Sequence, residues 1–279
     1  MEKTWLITGC SSGLGLGIAK AVLRRGDRAV VTARKTEALD MLAQAYPERV
    51  LALPLDLNDP PSMERTVEET GRRFGSIDIL VNNAGHGYRA AIEESDPAAV
   101  EELFQVNFFG PMELTRLVLP QMRQCRGGRI VTVTSIGAVR GALGNGYYSA
   151  AKGALELAME ALAKETAHLG IRVMLVEPGA LRTGFYGERL TGSSHTIPDY
   201  DPLADRYRKN ERTDSQDQPG DPERGGRIIV ETALREDAPF RLLLGSDAVQ
   251  VAVETLEARL QEAREWSEVS CGADFPKTE

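Results

Sequence analysis

Cysteine is scarce in this chain, and what there is does not pair. Cys10, Cys125 and Cys271 are odd in number, far apart and never spaced as CxxC. That pattern gives no disulfide framework and no zinc site, so no metal is expected. Three unpaired thiols fit a reducing, cytoplasmic compartment. Long apolar runs are also missing. No stretch of about 18 apolar residues occurs, so no membrane span is expected. A signal-peptide pattern is absent too, because Met1-Glu2-Lys3 leads into a short run that meets a glycine loop at Gly9. Basic charge is not in excess, and the formal net charge is −8. An acidic surface argues against nucleic acid or an anionic membrane as the main partner, while leaving room for a local basic pocket that takes a phosphate. The chain shows no internal repeat, and no linker composition appears before residue 184.

What is present is a large core and a repeating pattern. The chain has 279 residues, of which 42% are hydrophobic, far from a disordered composition. Short β-type runs at 4–8, 29–32, 50–53, 77–81, 129–134, 171–176 and 241–244 alternate with helix-type periodicity such as 18–25 and 98–122. Several runs are apolar throughout, as strands covered on both faces are. The βαβα order predicts an α/β fold with a doubly wound parallel β-sheet and helices on both faces. Residues 184–226 are polar, rich in Gly, Pro and Asp, and carry Tyr186, Tyr200 and Tyr207. A stretch of this kind reads as a substrate-binding loop or lid holding one or two short helices, or as a linker. A last amphipathic helix is expected at 247–265, followed by a tail at 266–279.

Thr8-Gly9-Cys10-Ser11-Ser12-Gly13-Leu14-Gly15 closes the first strand and opens the first helix. Glycines at G-x-x-x-G-x-G spacing let a backbone approach a pyrophosphate, which the free N–H groups and dipole of the helix N-terminus would hold. The second run ends Thr32-Ala33-Arg34-Lys35. An NAD site usually has an acid near that point for the ribose 2′-hydroxyl. Here Ala33 stands there and two cations follow, so Arg34 and Lys35 favour the 2′-phosphate of NADP; the other reading makes them surface charges. Asp56-Leu57 ends the third strand, where the aspartate can accept from an adenine amino group. Asn83, Ala84 and Gly85 end the fourth, where small residues allow close approach and an amide can brace neighbouring strands.

Tyr148 and Lys152 are four residues apart, which on a helix puts them on one face a turn apart. A phenol is a poor base near neutral pH, and a nearby ammonium favours its ionised form. Hydride transfer to or from a carbonyl needs such a group to move the hydroxyl proton. Ser135, past the fifth strand, can hydrogen-bond the reacting oxygen beside Tyr148. Pro178-Gly179 ends the sixth strand, with Thr183 shortly after. Four strand ends therefore converge on one crevice at the carboxyl edge, where open α/β sheets bind ligands.

In order and spacing, TGCSSGLG at 8–15, DL at 56–57, NNAG at 82–85, Asn107 in VNFFG, Ser135, YSAAK at 148–152 and PGALRT at 178–183 resemble the short-chain dehydrogenase/reductase family in its single-domain Rossmann form. RLLLGSDAV at 241–249, with Trp266-Ser267, more loosely resembles its 17β-hydroxysteroid-dehydrogenase-like subgroup. The resemblance implies one domain over 1–279. It implies Tyr148 as acid/base, Lys152 lowering its pKa and binding the nicotinamide ribose, Ser135 on the substrate oxygen, Asn107 positioning a water beside Lys152, and Thr183 on the carboxamide. It also implies a homodimer or homotetramer. Tyr147 lacks a lysine four residues on and is expected to pack or to form substrate wall. His86 and Tyr88 are expected in the pocket or at the surface. Ala138, Val139, Ala142 and Leu143 suggest an apolar pocket. The expected function is hydride transfer between NADP(H) and a hydrophobic ketone or secondary alcohol. NAD(H) and a non-catalytic dinucleotide-binding regulator are the alternatives. Only about 95 residues follow Gly184, too few for the larger substrate domain of nucleotide-sugar epimerases or dehydratases.

Overall fold

A computed structural model describes residues 2–209 and 216–275. Parts of the expected lid (210–215) and tail (276–279) lie outside the described residues. In chain order the strands are β1 (Thr4–Ile7), β2 (Arg28–Ala33), β3 (Val50–Pro54), β4 (Ile79–Asn82), β5 (Gly87–Arg89), β6 (Gly128–Val133), β7 (Ile171–Pro178), β8 (Leu190–Gly192) and β9 (Arg241–Leu244). The main helices are α1 (Gly13–Arg24), α2 (Asp40–Ala45), α3 (Pro60–Phe74), α4 (Pro97–Phe104), α5 (Gly110–Gln124), α6 (Ile136–Val139), α7 (Gly146–Thr166), α8 (Ala204–Tyr207), α9 (Pro222–Ala233), α10 (Ser246–Glu265) and α11 (Ser267–Cys271).

Seven strands form one parallel sheet in the order β3-β2-β1-β4-β6-β7-β9. The order reverses between β1 and β4, which is the switch point where a crevice opens at the carboxyl edge. Period-two alternation sends Trp5, Ile7, Val31, Val81, Val131 and Val176 to one core and Leu6, Val30, Leu80, Ile130 and Leu175 to the other. Both faces are thus apolar, which is why the strands read as continuous hydrophobic runs. The expected Rossmann-type doubly wound architecture is what forms.

Three features depart from the expected outline. The 98–122 helical stretch is α4 and α5 joined by a π-helical turn, Gln105–Phe109. β5 and β8 pair in parallel as a second, two-stranded sheet. The expected lid does not run to 226, because α9 begins at Pro222 and packs on α1. A Cβ at Gly226 would lie 2.3 Å from the Gly17 carbonyl carbon, and one at Gly17 would lie 2.3 Å from Pro222 O. The two backbones touch, and only glycines permit it. Gly226→Ala should therefore destabilise the protein by about 1–3 kcal/mol through overpacking, despite alanine's better helix propensity. Urea denaturation checks this, and undiminished stability would contradict it.

Cys10 is buried, and burial pushes its thiol up to about 12, which keeps it inert. Cys125 and Cys271 are exposed free thiols. Among the described residues no helix is long and apolar enough to cross a membrane.

Candidate active site

The carboxyl ends of β1, β4, β6 and β7 open into a cleft of about 280 Å³. Its floor is the glycine turn. Gly9 and Gly13 have φ of +74° and +60°, and Cβ atoms at Gly13 and Gly15 would meet Thr183 at 3.1 Å and Gly9 O at 2.3 Å. Ser12 is the N-cap residue of α1, but its side chain makes no capping hydrogen bond to the helix, so the first-turn N–H groups are left for a ligand. The turn is pinned from β4: Asn83 Nδ2 donates to Thr8 O at 2.8 Å and Gly9 O at 3.3 Å. Thr8 Oγ1 in return accepts from the backbone N–H groups of Asn83 and Ala84, both at 2.9 Å.

Tyr148 and Lys152 lie on the buried face of α7. The Lys152 ammonium donates to Val133 O at 3.1 Å, and burial pulls its pKa down to about 8. Burial pushes the Tyr148 phenol up to about 12; a hydrogen bond from Ser135 draws it back, and Tyr186 nearby raises it further. Desolvation of the phenolate is the largest of these effects. Tyr148 is a protonated acid at neutral pH. Ser135 is oriented as the N-cap of α6, its Oγ accepting from Gly137 N at 3.0 Å. A Cβ at Gly137 would sit 3.3 Å from both Ser135 Oγ and the Tyr148 ring, so that glycine keeps the two together.

The π-turn carries Asn107 to the same place. Its Nδ2 donates to His86 O at 3.0 Å and Leu103 O at 3.1 Å, while its buried Oδ1 has no partner. A Cβ at Gly85 would lie 2.6 Å from that Oδ1 and 3.3 Å from Lys152 Nζ. Asn107 and Lys152 therefore face one another across Gly85. Phe185 and Tyr186 close the far wall. Phe185 meets the Tyr148 ring edge-on at 5.7 Å between centroids, and Tyr186 at 5.5 Å.

Residues 3–192 match the short chain dehydrogenase family. An oxidoreductase of Botryotinia fuckeliana is 34% identical over 97% of this chain and 98% of its own. A 3-ketodihydrosphingosine reductase of Bacteroides thetaiotaomicron is 34% identical over 86% of this chain and 87% of its own. A crystal structure of a short-chain dehydrogenase from Streptomyces avermitilis superposes with a TM-score of 0.91 at 41% identity, covering 99% and 100% of the two chains. A metagenomic short-chain oxidoreductase solved with NADP gives 0.61 at 29% identity, covering 64% of this chain and 83% of the other. The chain belongs to the short-chain dehydrogenase family. It is an oxidoreductase of that type.

In this short-chain dehydrogenase, Gly13, Leu14, Gly15, Asn83, Gly85, Asn107, Ser135, Tyr148, Lys152, Pro178, Gly179 and Thr183 all reach the cleft. Gly9, Ser11, Ser12, Ala84, Arg34, Lys35, Asp56 and Leu57 do not line it. Leu57 packs in the core beneath, touching the position where a Gly110 Cβ would be at 2.7 Å. Arg34 and Lys35 are exposed at the end of β2, and the Arg34 charge reaches His86 and Arg189. Tyr88 is core, its hydroxyl accepting from Asp96 N at 2.9 Å. Tyr147 packs in the cluster with Tyr88 and Leu103. Of the four residues expected to make the wall apolar, Ala142 lines the cleft, whereas Ala138 is half-buried outside it, Val139 is buried and Leu143 is exposed. Leu181, Phe185, Leu190 and Val251 make the wall instead.

Residues 197–208 are tied to the rest of the fold by a group no sequence pattern announces. Glu94 is buried and accepts from Tyr207 Oη at 2.7 Å, Ile197 N at 2.9 Å and Arg208, which together hold its carboxyl well below the usual range. Asp247 is a second missed residue. Its Oδ2 accepts from Ala180 N at 2.7 Å, fixing the Pro178-Gly179 turn.

Proposed function

We propose that the protein reduces a hydrophobic ketone, or oxidises the corresponding secondary alcohol, with NADP(H). The observation that carries the reading is the constellation of half-buried Ser135 with buried Tyr148, Lys152 and Asn107 beside a glycine cradle that a Cβ at Gly13, Gly15 or Gly85 would fill. The cradle and the orphaned Asn107 oxygen fit a dinucleotide and an ordered water. Bound there, the nicotinamide supplies or accepts the hydride. The glycine turn and the α1 N-terminus would hold the pyrophosphate, with Asn83, Ala84, Pro178, Gly179 and Thr183 against the nicotinamide half, and Asp56 and Leu57 toward the adenine.

Ser135 orients the substrate oxygen toward Tyr148. The phenol donates its proton to that oxygen as the carbon is reduced, and the phenolate left behind is stabilised by the Lys152 ammonium. A water between Asn107 Oδ1 and Lys152 Nζ returns the proton from solvent. The apolar wall residues Leu181, Phe185, Leu190 and Val251 favour an apolar substrate. NADP over NAD is supported by Ala33 at the place of an acid, by the exposed Arg34 that follows it at the end of β2, and by the NADP-bound relative. We place the activity in one catalytic unit whose 184–221 segment forms the substrate wall. Pairing of subunits through α5 and α7, where Leu157 on α7 and Phe109 just before α5 are exposed, would give a cytoplasmic homodimer or homotetramer.

The pH profile tests this assignment. Lys152 is charged below about 8 and neutral above it. As pH rises through that value, kcat/KM for ketone reduction should fall, because the relay loses its proton and the phenolate its partner. A flat profile between about pH 6 and 10 would overturn the lysine's role.

A further inference from the structure

Arg189 belongs to the lid, yet its side chain ends on the glycine turn. Its backbone is fixed on both sides: the carbonyl accepts from Gly87 N at 2.9 Å, and the N–H donates to Gly184 O at 3.3 Å. From there Nη2 donates to Ser11 Oγ and Ser12 Oγ, each at 2.9 Å. These serines precede α1, and the cleft wall includes Arg189 beside Gly13 and Gly15. Burial and the Arg34 charge both disfavour its ionised form, with only Glu188 favouring it. Among the described residues no ion pair to Arg189 is formed. A guanidinium has five donors, and two hydroxyls leave most of them for another acceptor. Two arginines that repel each other beside a turn of free N–H groups describe a place for an anion.

We propose that Arg189 is a phosphate ligand of the dinucleotide, delivered by the lid, so that the cofactor fastens β8 before substrate arrives. The inference rests on the dinucleotide reading above. It adds a contact from outside the strand ends that normally build such a site. It also gives the lid a reason to order in sequence: β8 forms the substrate wall through Leu190 and pairs with β5, and its first neighbour is the phosphate-binding side chain.

Binding of NADPH and NADH to wild type, Arg189→Ala and Arg189→Lys, followed by quenching of protein fluorescence, tests it without turnover. Arg189→Ala should weaken NADPH tenfold or more, with Arg189→Lys between it and wild type because the charge remains but the fork is lost. Equal weakening of NADH places the guanidinium on the pyrophosphate; weakening of NADPH alone places it on the 2′-phosphate. Either result supports the proposal. Hydrogen exchange is the second readout. NADPH should protect the amides of 190–192 in wild type and not in Arg189→Ala. A variant that binds both dinucleotides as wild type does, or lid protection that survives the substitution, overturns the inference alone. A wild type that binds neither dinucleotide overturns the cofactor reading beneath it.

Discussion

Tyr148→Phe is expected to leave the fold and NADPH binding intact while ketone reduction falls by at least about 10²–10⁴-fold, the scale of acid/base catalysis. The substitution removes one oxygen from a buried ring and keeps the edge-on contact with Phe185. It removes the only group that Ser135 and a substrate oxygen would share. The buried phenol is protonated at neutral pH, so the lost function is proton donation. Tyr147→Phe is the control. Tyr147 packs against the cluster of Tyr88, Leu103 and Tyr148 without lining the cleft, and its variant should turn over at near the wild-type rate. Steady-state kinetics on both variants decides this, and Tyr148→Phe activity above about a tenth of wild type would sink the assignment.

Ala33→Asp is expected to turn the cofactor preference toward NADH. Ala33 is buried at the end of β2, where an acid would accept from a free 2′-hydroxyl and repel a 2′-phosphate. Arg34→Ala should weaken NADPH by about tenfold to a hundredfold, since charge-assisted hydrogen bonds contribute roughly 1.5–3 kcal/mol and about 1.4 kcal/mol is tenfold. NADH has no phosphate there and should bind almost unchanged. Titration of both cofactors against the two variants reads this directly. If wild type prefers NADH, or if Arg34→Ala weakens both equally, Arg34 is a surface charge.

Much of this was legible in the sequence because the two signals were local. Apolar runs of the right length mark strands buried on both faces, and the residues at their ends mark the crevice. The YSAAK spacing places Tyr148 and Lys152 on one face of α7 whatever the rest of the chain does. What the sequence hid depends on contacts across the fold. The π-turn that delivers Asn107 lies inside what reads as one continuous helix. β5 and β8 are three residues each and pair with one another across a long stretch of intervening chain. The burial that raises the Tyr148 phenol is hidden for the same reason, since the fold around α7 sets it. Arg189 had no motif, since its meaning comes from two serines 177 and 178 positions away. The lid's hold on Glu94 was invisible likewise, because a buried carboxylate reads as a surface charge until Arg208 and Tyr207 are seen around it.

The central claim is hydride transfer to a carbonyl carbon with Tyr148 giving the proton. The most direct measurement uses NADPH deuterated at the transferring position of the nicotinamide, mixed with a panel of hydrophobic ketones, with the products analysed by mass spectrometry. The account predicts one deuterium on the carbinol carbon of at least one product, formed with wild type and nearly lost with Tyr148→Phe. Protein that binds NADPH yet transfers no label to any ketone, or that transfers it equally well without the Tyr148 hydroxyl, would contradict it.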